Sequence, residues 1–128
     1  MLFTINKGHT GRPAGCQKTI VHLVSTMAAG IATGKAWAVS SGNAGAFHTT
    51  FSAKVEALDA LDWTAIRATD WKTLQHQKSA EFLVADFFPW TGFHEIGCQN
   101  SQTLGRVREL LAGVPHQPTL ALKPQWYY

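Results

Sequence analysis

"KSAEFLVADFFPW", residues 78–90, carries one lysine and one glutamate at its head and then runs almost wholly apolar to Pro89 and Trp90. Period alone does not separate a buried strand from a buried helix in so short a run. Pro89 tips the reading to a strand, because it stops "AEFLVADFF" after nine residues, short for a helix and within the range of a strand. Glu81 then has two readings. It is either the last charged residue at a strand edge, pointing to solvent, or a fixed carboxylate facing a cleft, where it could stabilise positive charge developing in a transition state.

Downstream, "FHEIGC" (93–98) alternates apolar and polar residues and reads as a neighbouring strand. Ser101 is positioned to cap a helix in which Leu104, Val107, Leu110 and Leu111 recur at helical spacing until Gly113 ends it. "PTLALK" (118–123) reads as a last strand, and Trp126, Tyr127 and Tyr128 as aromatic residues that pack back onto a sheet. Upstream, Asp62 caps a short helix through Ile66 and Arg67, and the stretch from Ala44 to Ala60 predicts one or two short helices after the turn signal Ser41-Gly42-Asn43. "KAWAVSS" (35–41), "KTIVHLVS" (18–25) and "MLFTI" (1–5) read as strands, with a Gly- and Pro-containing loop over residues 6–16. The whole is a mixed α+β fold, strands dominant in the core and short helices between them, in a single domain over residues 1–128.

At 128 residues the chain is enough for one core, and 45% hydrophobic content with seven Phe and five Trp excludes a disordered polyampholyte. A formal charge of +3 permits contact with a polyanion and falls well short of a dedicated basic arm. Cys16 and Cys98 form neither a CxxC pair nor a disulfide framework, which predicts free thiols in a reducing compartment. Without an apolar run of about 20 residues, or the charge order of a signal peptide, the expected location is the cytoplasm.

Several motifs invite sharper readings. "GIATGK" (30–35) is one residue short between its glycines for a phosphate loop and has Ala36 where a hydroxyl is needed, so it reads as an ordinary turn. His94 and Cys98 share a side of a strand but lie about 13 Å apart at ~3.3 Å per residue, too far for one metal ion, and no metal site is expected. The six histidines announce no Ser-His-Asp arrangement by spacing. "DWTAIRATDWKTLQHQK" (62–78) differs: Trp63 and Trp71 are interleaved with Arg67, Lys72 and Lys78 directly before Glu81. Aromatic faces stack on unpaired bases while cations hold phosphates. The plainer reading makes both tryptophans core residues of a small helical hairpin.

The ordered set "IVHLVS", "SSGNAGAF", "LDWTAIRATDW", "KSAEFLVADFFPW", "IGCQNS" and "PTLALKPQWYY" resembles the later two-thirds of the DarT family of DNA ADP-ribosyltransferase toxins, and the match runs from Met1 to the C-terminus. The resemblance implies an ADP-ribosyltransferase fold and a catalytic glutamate in the segment similar to "AEFLV", which is Glu81 here. It implies NAD as co-substrate, single-stranded DNA as the acceptor, and a macrodomain antitoxin as partner. The family loop that contacts DNA corresponds to residues 62–78, giving Trp63, Arg67, Trp71, Lys72 and Lys78 as the expected DNA-binding set. The family's histidine-containing NAD-binding motif and an arginine precede the strand similar to "MLFTI", so no NAD-binding residue is assigned in this chain, and an N-terminally shortened domain is expected. Ser79 and Ala85 stand where the family tends to be basic and to carry histidine. Two other readings remain beside the enzyme: an inactive remnant that binds single-stranded nucleic acid, and one half of a split enzyme.

Overall fold

The computed structural model describes Gly8, Gly11, residues 13–69 and residues 72–127. The expected strand at residues 1–5 and the residues Arg12, Trp71 and Tyr128 lie outside the described residues. The chain divides into two compact units, Met1–Thr26 with Pro89–Tyr128, and Met27–Phe88.

In the first unit a 3₁₀ turn at Cys16–Thr19 leads into β1, Val21–Val24. The second unit begins with helix α1, Met27–Ala32, followed by β2, Trp37–Ser40, and the two-residue β3, Phe51–Ser52. After a 3₁₀ turn at Val55–Leu58 come helix α2, Trp63–Arg67, helix α3, Gln75–Lys78, and β4, Glu81–Val84. The chain then returns to the first unit with β5, Glu95–Cys98, helix α4, Ser101–Leu110, and β6, Thr119–Leu122. The mixed α+β architecture expected from the pattern is the one observed.

Among the described residues each unit holds one three-stranded sheet. In the first the order is β1-β5-β6, antiparallel between β1 and β5 and parallel between β5 and β6. Its centre is β5, where Ile96 and Cys98 are buried. Tyr127 packs back onto this sheet as its aromatic character predicted, with its hydroxyl within hydrogen-bond reach of the Ile20 and Gly97 carbonyls at 2.8 and 3.0 Å. Burial, then the neighbouring Cys98, raises the Tyr127 pKa. His22 on β1 lies edge-on to Trp126 and Tyr127, with ring centroids 5.5 and 4.9 Å away. Its buried Nε2 has no hydrogen-bond partner among the described residues, and burial lowers its pKa below the ordinary 6.5.

The second sheet, β3-β2-β4, is antiparallel throughout. Val39 in its central strand is 4% exposed, and Trp37 stacks on Phe82 across β2 and β4. Helix α1 lies on β4 at Gly30, where a Cβ would fall 2.6 Å from the Phe82 ring. A helix this close to the sheet accepts no side chain at that point. Gly34, with φ +69°, makes the turn after α1, so the second half of "GIATGK" is the turn its spacing indicated, while Gly30, Ile31 and Ala32 are the end of the helix.

Four expectations are corrected. The strand beginning at Glu81 ends at Val84, before Asp86 adopts φ 61°. That left-handed residue breaks the extended run upstream of Pro89, and its carboxylate pairs with Lys35 at 3.2 Å. "FHEIGC" is not the neighbour of that strand: β4 pairs with β2, and β5 with β1 and β6. Alternation marks which face of a strand is buried and carries no information about the pairing partner. The cap of α4 is Asn100, whose side chain accepts from the Thr103 N–H at 2.8 Å, with Ser101 the first helical residue. Between Ala44 and Ala60 the expected short helix is the 3₁₀ helix at Val55–Leu58, and the correction is the short strand β3 before it. Thr49, Thr50 and Phe51 favour extended backbone.

Candidate active site

Glu81 is the first residue of β4 and is exposed. Its position is fixed from both the backbone and the side chain. In the β2–β4 ladder it pairs with Ser40, the fully buried last residue of β2. The Glu81 N–H donates to Ser40 Oγ at 3.0 Å, and Ser40 Oγ donates to the Gly42 carbonyl at 2.6 Å. The carboxylate reaches over the loop that leaves β2, where the Ala44 N–H donates to Oε2 at 2.8 Å. The result is a carboxylate with Oε2 tethered and, among the described residues, no donor on Oε1.

The loop that carries Ala44 is itself stiff. Asn43 Oδ1 accepts from the Gly45 N–H at 2.8 Å, and its backbone carbonyl accepts from the Ala46 N–H and the Thr49 hydroxyl at 2.9 and 2.7 Å. Such local side-chain to backbone bonding is why Asn suits turns. Ser41 and Thr50 close the base, N–H to carbonyl at 3.0 Å and N–H to hydroxyl at 3.1 Å. His76 of α3 packs against the loop: a Cβ on Gly42 would stand 2.2 Å from its Cε1. The same imidazole meets His48, Nδ1 to Nε2 at 3.1 Å. One continuous segment, residues 76–81, therefore grips the loop twice, through the imidazole of His76 and the carboxylate of Glu81.

Of the other sequence-derived candidates, Trp63 and Arg67 lie on α2, Lys78 ends α3, and Lys72 lies between the two helices. Asp62 caps α2 as expected, accepting from the Ala65 N–H at 2.8 Å. Trp63 is 38% exposed, and its indole N–H donates to the Leu58 carbonyl at 2.9 Å. The indole is thus partly exposed and anchored through its N–H. Arg67 and Lys72 are exposed, and Trp71 lies outside the described residues. Lys78 differs from the others: its half-buried ammonium donates to the Ile66 carbonyl at 2.8 Å and to the Ala68 carbonyl. Those carbonyls belong to the end of α2, so Lys78 ties α3 to α2 instead of standing in solvent. α2 and α3 pack as a small helical pair, and Trp63, Arg67 and Lys72 are exposed.

Sequence reasoning took "SSGNAGAF" as a turn and family signature, and missed that Ser40, Gly42 and Ala44 build the glutamate's support. It also missed His48 and His76, whose positions 28 residues apart give no local signal. Elsewhere, the first unit has an open groove of about 1010 Å³ lined in part by Lys18, Asn100, Thr103 and Arg106. No carboxylate, histidine or cysteine lines it, and Asn100 and Thr103 both donate to the Lys18 carbonyl. Chemistry favours Glu81. Among the described residues no three His, Cys, Asp or Glu side chains gather as metal ligands, and no helix is long and apolar enough to cross a membrane.

The family described as "ssDNA thymidine ADP-ribosyltransferase, DarT" matches residues 1–128. A DNA ADP-ribosyl transferase of Thermus aquaticus is 36% identical over 130 residues, covering 100% of this chain and 58% of that protein. A protein of the same description from Mycobacterium tuberculosis is 32% identical over 135 residues, with the same coverage. The solved structure of Thermus sp. 2.9 DarT in complex with NAD+ superposes with a TM-score of 0.89 at 30% identity, over 99% of this chain and 66% of that one. The complex of the same protein with ADP-ribosylated ssDNA gives 0.91 at 29% identity, over 99% and 63%. The chain spans about three-fifths of the length of the curated relatives it matches. With a family match from its first residue to its last, and a fold shared with solved members, the chain belongs to the DarT family.

Proposed function

We propose that this chain is part of an enzyme that transfers ADP-ribose from NAD to a thymidine base of single-stranded DNA, with Glu81 as the catalytic carboxylate. The observation that carries the reading is the state of that carboxylate: exposed at the head of β4, held by the Ala44 N–H at 2.8 Å, and without a donor on Oε1 among the described residues. The family description supplies the acceptor, and Thermus sp. 2.9 DarT, a structural relative, has been solved in complex with NAD+, the donor, and with ADP-ribosylated ssDNA, the product of such a transfer.

The geometry suits that chemistry. Breaking the bond from ribose to nicotinamide leaves the ribose with oxocarbenium character, as other glycosyl transfers do. A negative oxygen fixed beside that ribose stabilises the transition state more than the ground state, which is the condition for acceleration. Oε1 can accept from a ribose hydroxyl while Oε2 stays on Ala44. Nicotinamide departs with the bonding electron pair, the base forms the new bond to the anomeric carbon, and the proton displaced from the base passes to solvent. An unstacked base reaches that carbon without the cost of opening a duplex, in keeping with a single-stranded acceptor. Trp63, Arg67 and Lys72, with Trp71, are proposed to face the strand, whereas Lys78 serves the helix pair. Family membership further supports a toxin acting in the cytoplasm whose mark a macrodomain antitoxin removes.

The test joins this chain to the part of the Thermus aquaticus relative that it does not match and supplies NAD with oligonucleotides of mixed sequence. Mass spectrometry is expected to find ADP-ribose on thymidine in single strands and little in duplexes. Modification of protein alone, or none of any strand, would contradict the proposal.

A further inference from the structure

Phe47 sits at the tip of the Ser41–Thr50 loop and is 106% exposed, more than a phenylalanine in a reference peptide. Exposing a whole phenyl ring forgoes about 2 kcal/mol of burial, so its bareness calls for a cause. The loop does not owe this to slackness. The turn from Asn43 to Ala46 is bonded just before Phe47, Thr49 N–H donates to the Ala46 carbonyl at 3.1 Å across it, and His48 just after it meets His76 at 3.1 Å. Both neighbours of the ring are pinned, and the ring is held out. Three residues from Ala44, its Cα lies within about 11 Å of the backbone N–H that holds Glu81.

We infer that Phe47 is a stacking platform for a nucleobase of the single strand, placed beside the glutamate by the rigid loop. The inference rests on the reading of the chain as acting on single-stranded DNA and adds a residue to it. An aromatic face offers every base a partner without hydrogen-bond readout, and a ring carried on a pinned backbone has less entropy to lose when a base arrives than one on a slack loop. Phe47 has no polar atom, so its contribution goes to bases and not to phosphates.

The experiment measures binding of the full chain to a fluorescent single-stranded thymidine oligonucleotide and to the same backbone with abasic residues. Phe47→Ala is expected to weaken binding to the base-bearing strand about tenfold, Phe47→Tyr to retain it, and neither to alter binding to the abasic strand or the thermal midpoint. Equal binding of wild type and Phe47→Ala to the base-bearing strand overturns the inference while leaving the proposed function standing. An equal loss on the abasic strand also overturns it, since the ring would then act through the backbone. If the wild-type chain binds neither strand, the functional reading fails and the inference with it. Concentration-dependent dimers that Phe47→Ala abolishes would make the ring a contact between copies and overturn the stacking role.

Discussion

The support of Glu81 depends on one glycine. A methyl group at Gly42 would meet the His76 ring at 2.2 Å, and that ring is held by His48, so it can yield only by giving up its partner. Gly42→Ala is expected to destabilise the protein by about 1–3 kcal/mol in urea unfolding. Adding His76→Ala should recover part of the loss, because the clash partner is gone. A Gly42→Ala protein as stable as wild type would show that the loop and α3 do not touch as described. At His22 the expectation concerns pH. Burial holds its folded pKa below 6.5, so below about that pH the unfolded chain takes up the proton more readily than the folded one. The stability this residue contributes is complete above pH 6.5 and falls as pH drops from there toward the folded value. His22→Phe should therefore lose less stability than wild type between pH 7 and pH 5. Equal slopes would contradict the buried, unpartnered Nε2.

At the scale of elements, the two cations that flank α3 separate by what they touch. Lys78 donates to the carbonyls that end α2, whereas Arg67 is exposed in the last turn of that helix. Lys78→Met is expected to cost about 1–3 kcal/mol of stability and to leave the salt dependence of oligonucleotide binding unchanged. Arg67→Ala should leave stability nearly intact and lower the slope of log affinity against log salt by about 1. The reverse pattern would mean that the helical pair presents a different face to the strand. The sequence offered no way to tell these lysine and arginine roles apart, because both lie in one aromatic and basic stretch. Their difference arises only when α3 folds back on α2.

Across the molecule, what was legible followed from local pattern. The β-branched run at β1, the Asp62 cap, the helical spacing of α4 and the packing of Tyr127 are set by neighbours in sequence, and each stands where it was expected. Pairing was not legible: β4 chose β2 and β5 chose β1, and nothing in an alternating pattern names its partner. The same limit hid most of the site. Glu81 stood out through a family resemblance, but Ala44, 37 residues earlier, is joined to it only by a backbone N–H that no side-chain motif records.

The central claim is that the Glu81 carboxylate does the chemistry, and the rate of ADP-ribose transfer by Glu81→Gln tests it most directly. The assay uses the chain completed with the remaining part of its Thermus aquaticus relative, saturating NAD and a single-stranded thymidine oligonucleotide. Glutamine preserves size and one acceptor oxygen while removing the charge. The account predicts a rate lower by about 100-fold or more, with oligonucleotide affinity and thermal midpoint near those of wild type. A Glu81→Gln protein that transfers ADP-ribose at the wild-type rate would contradict it.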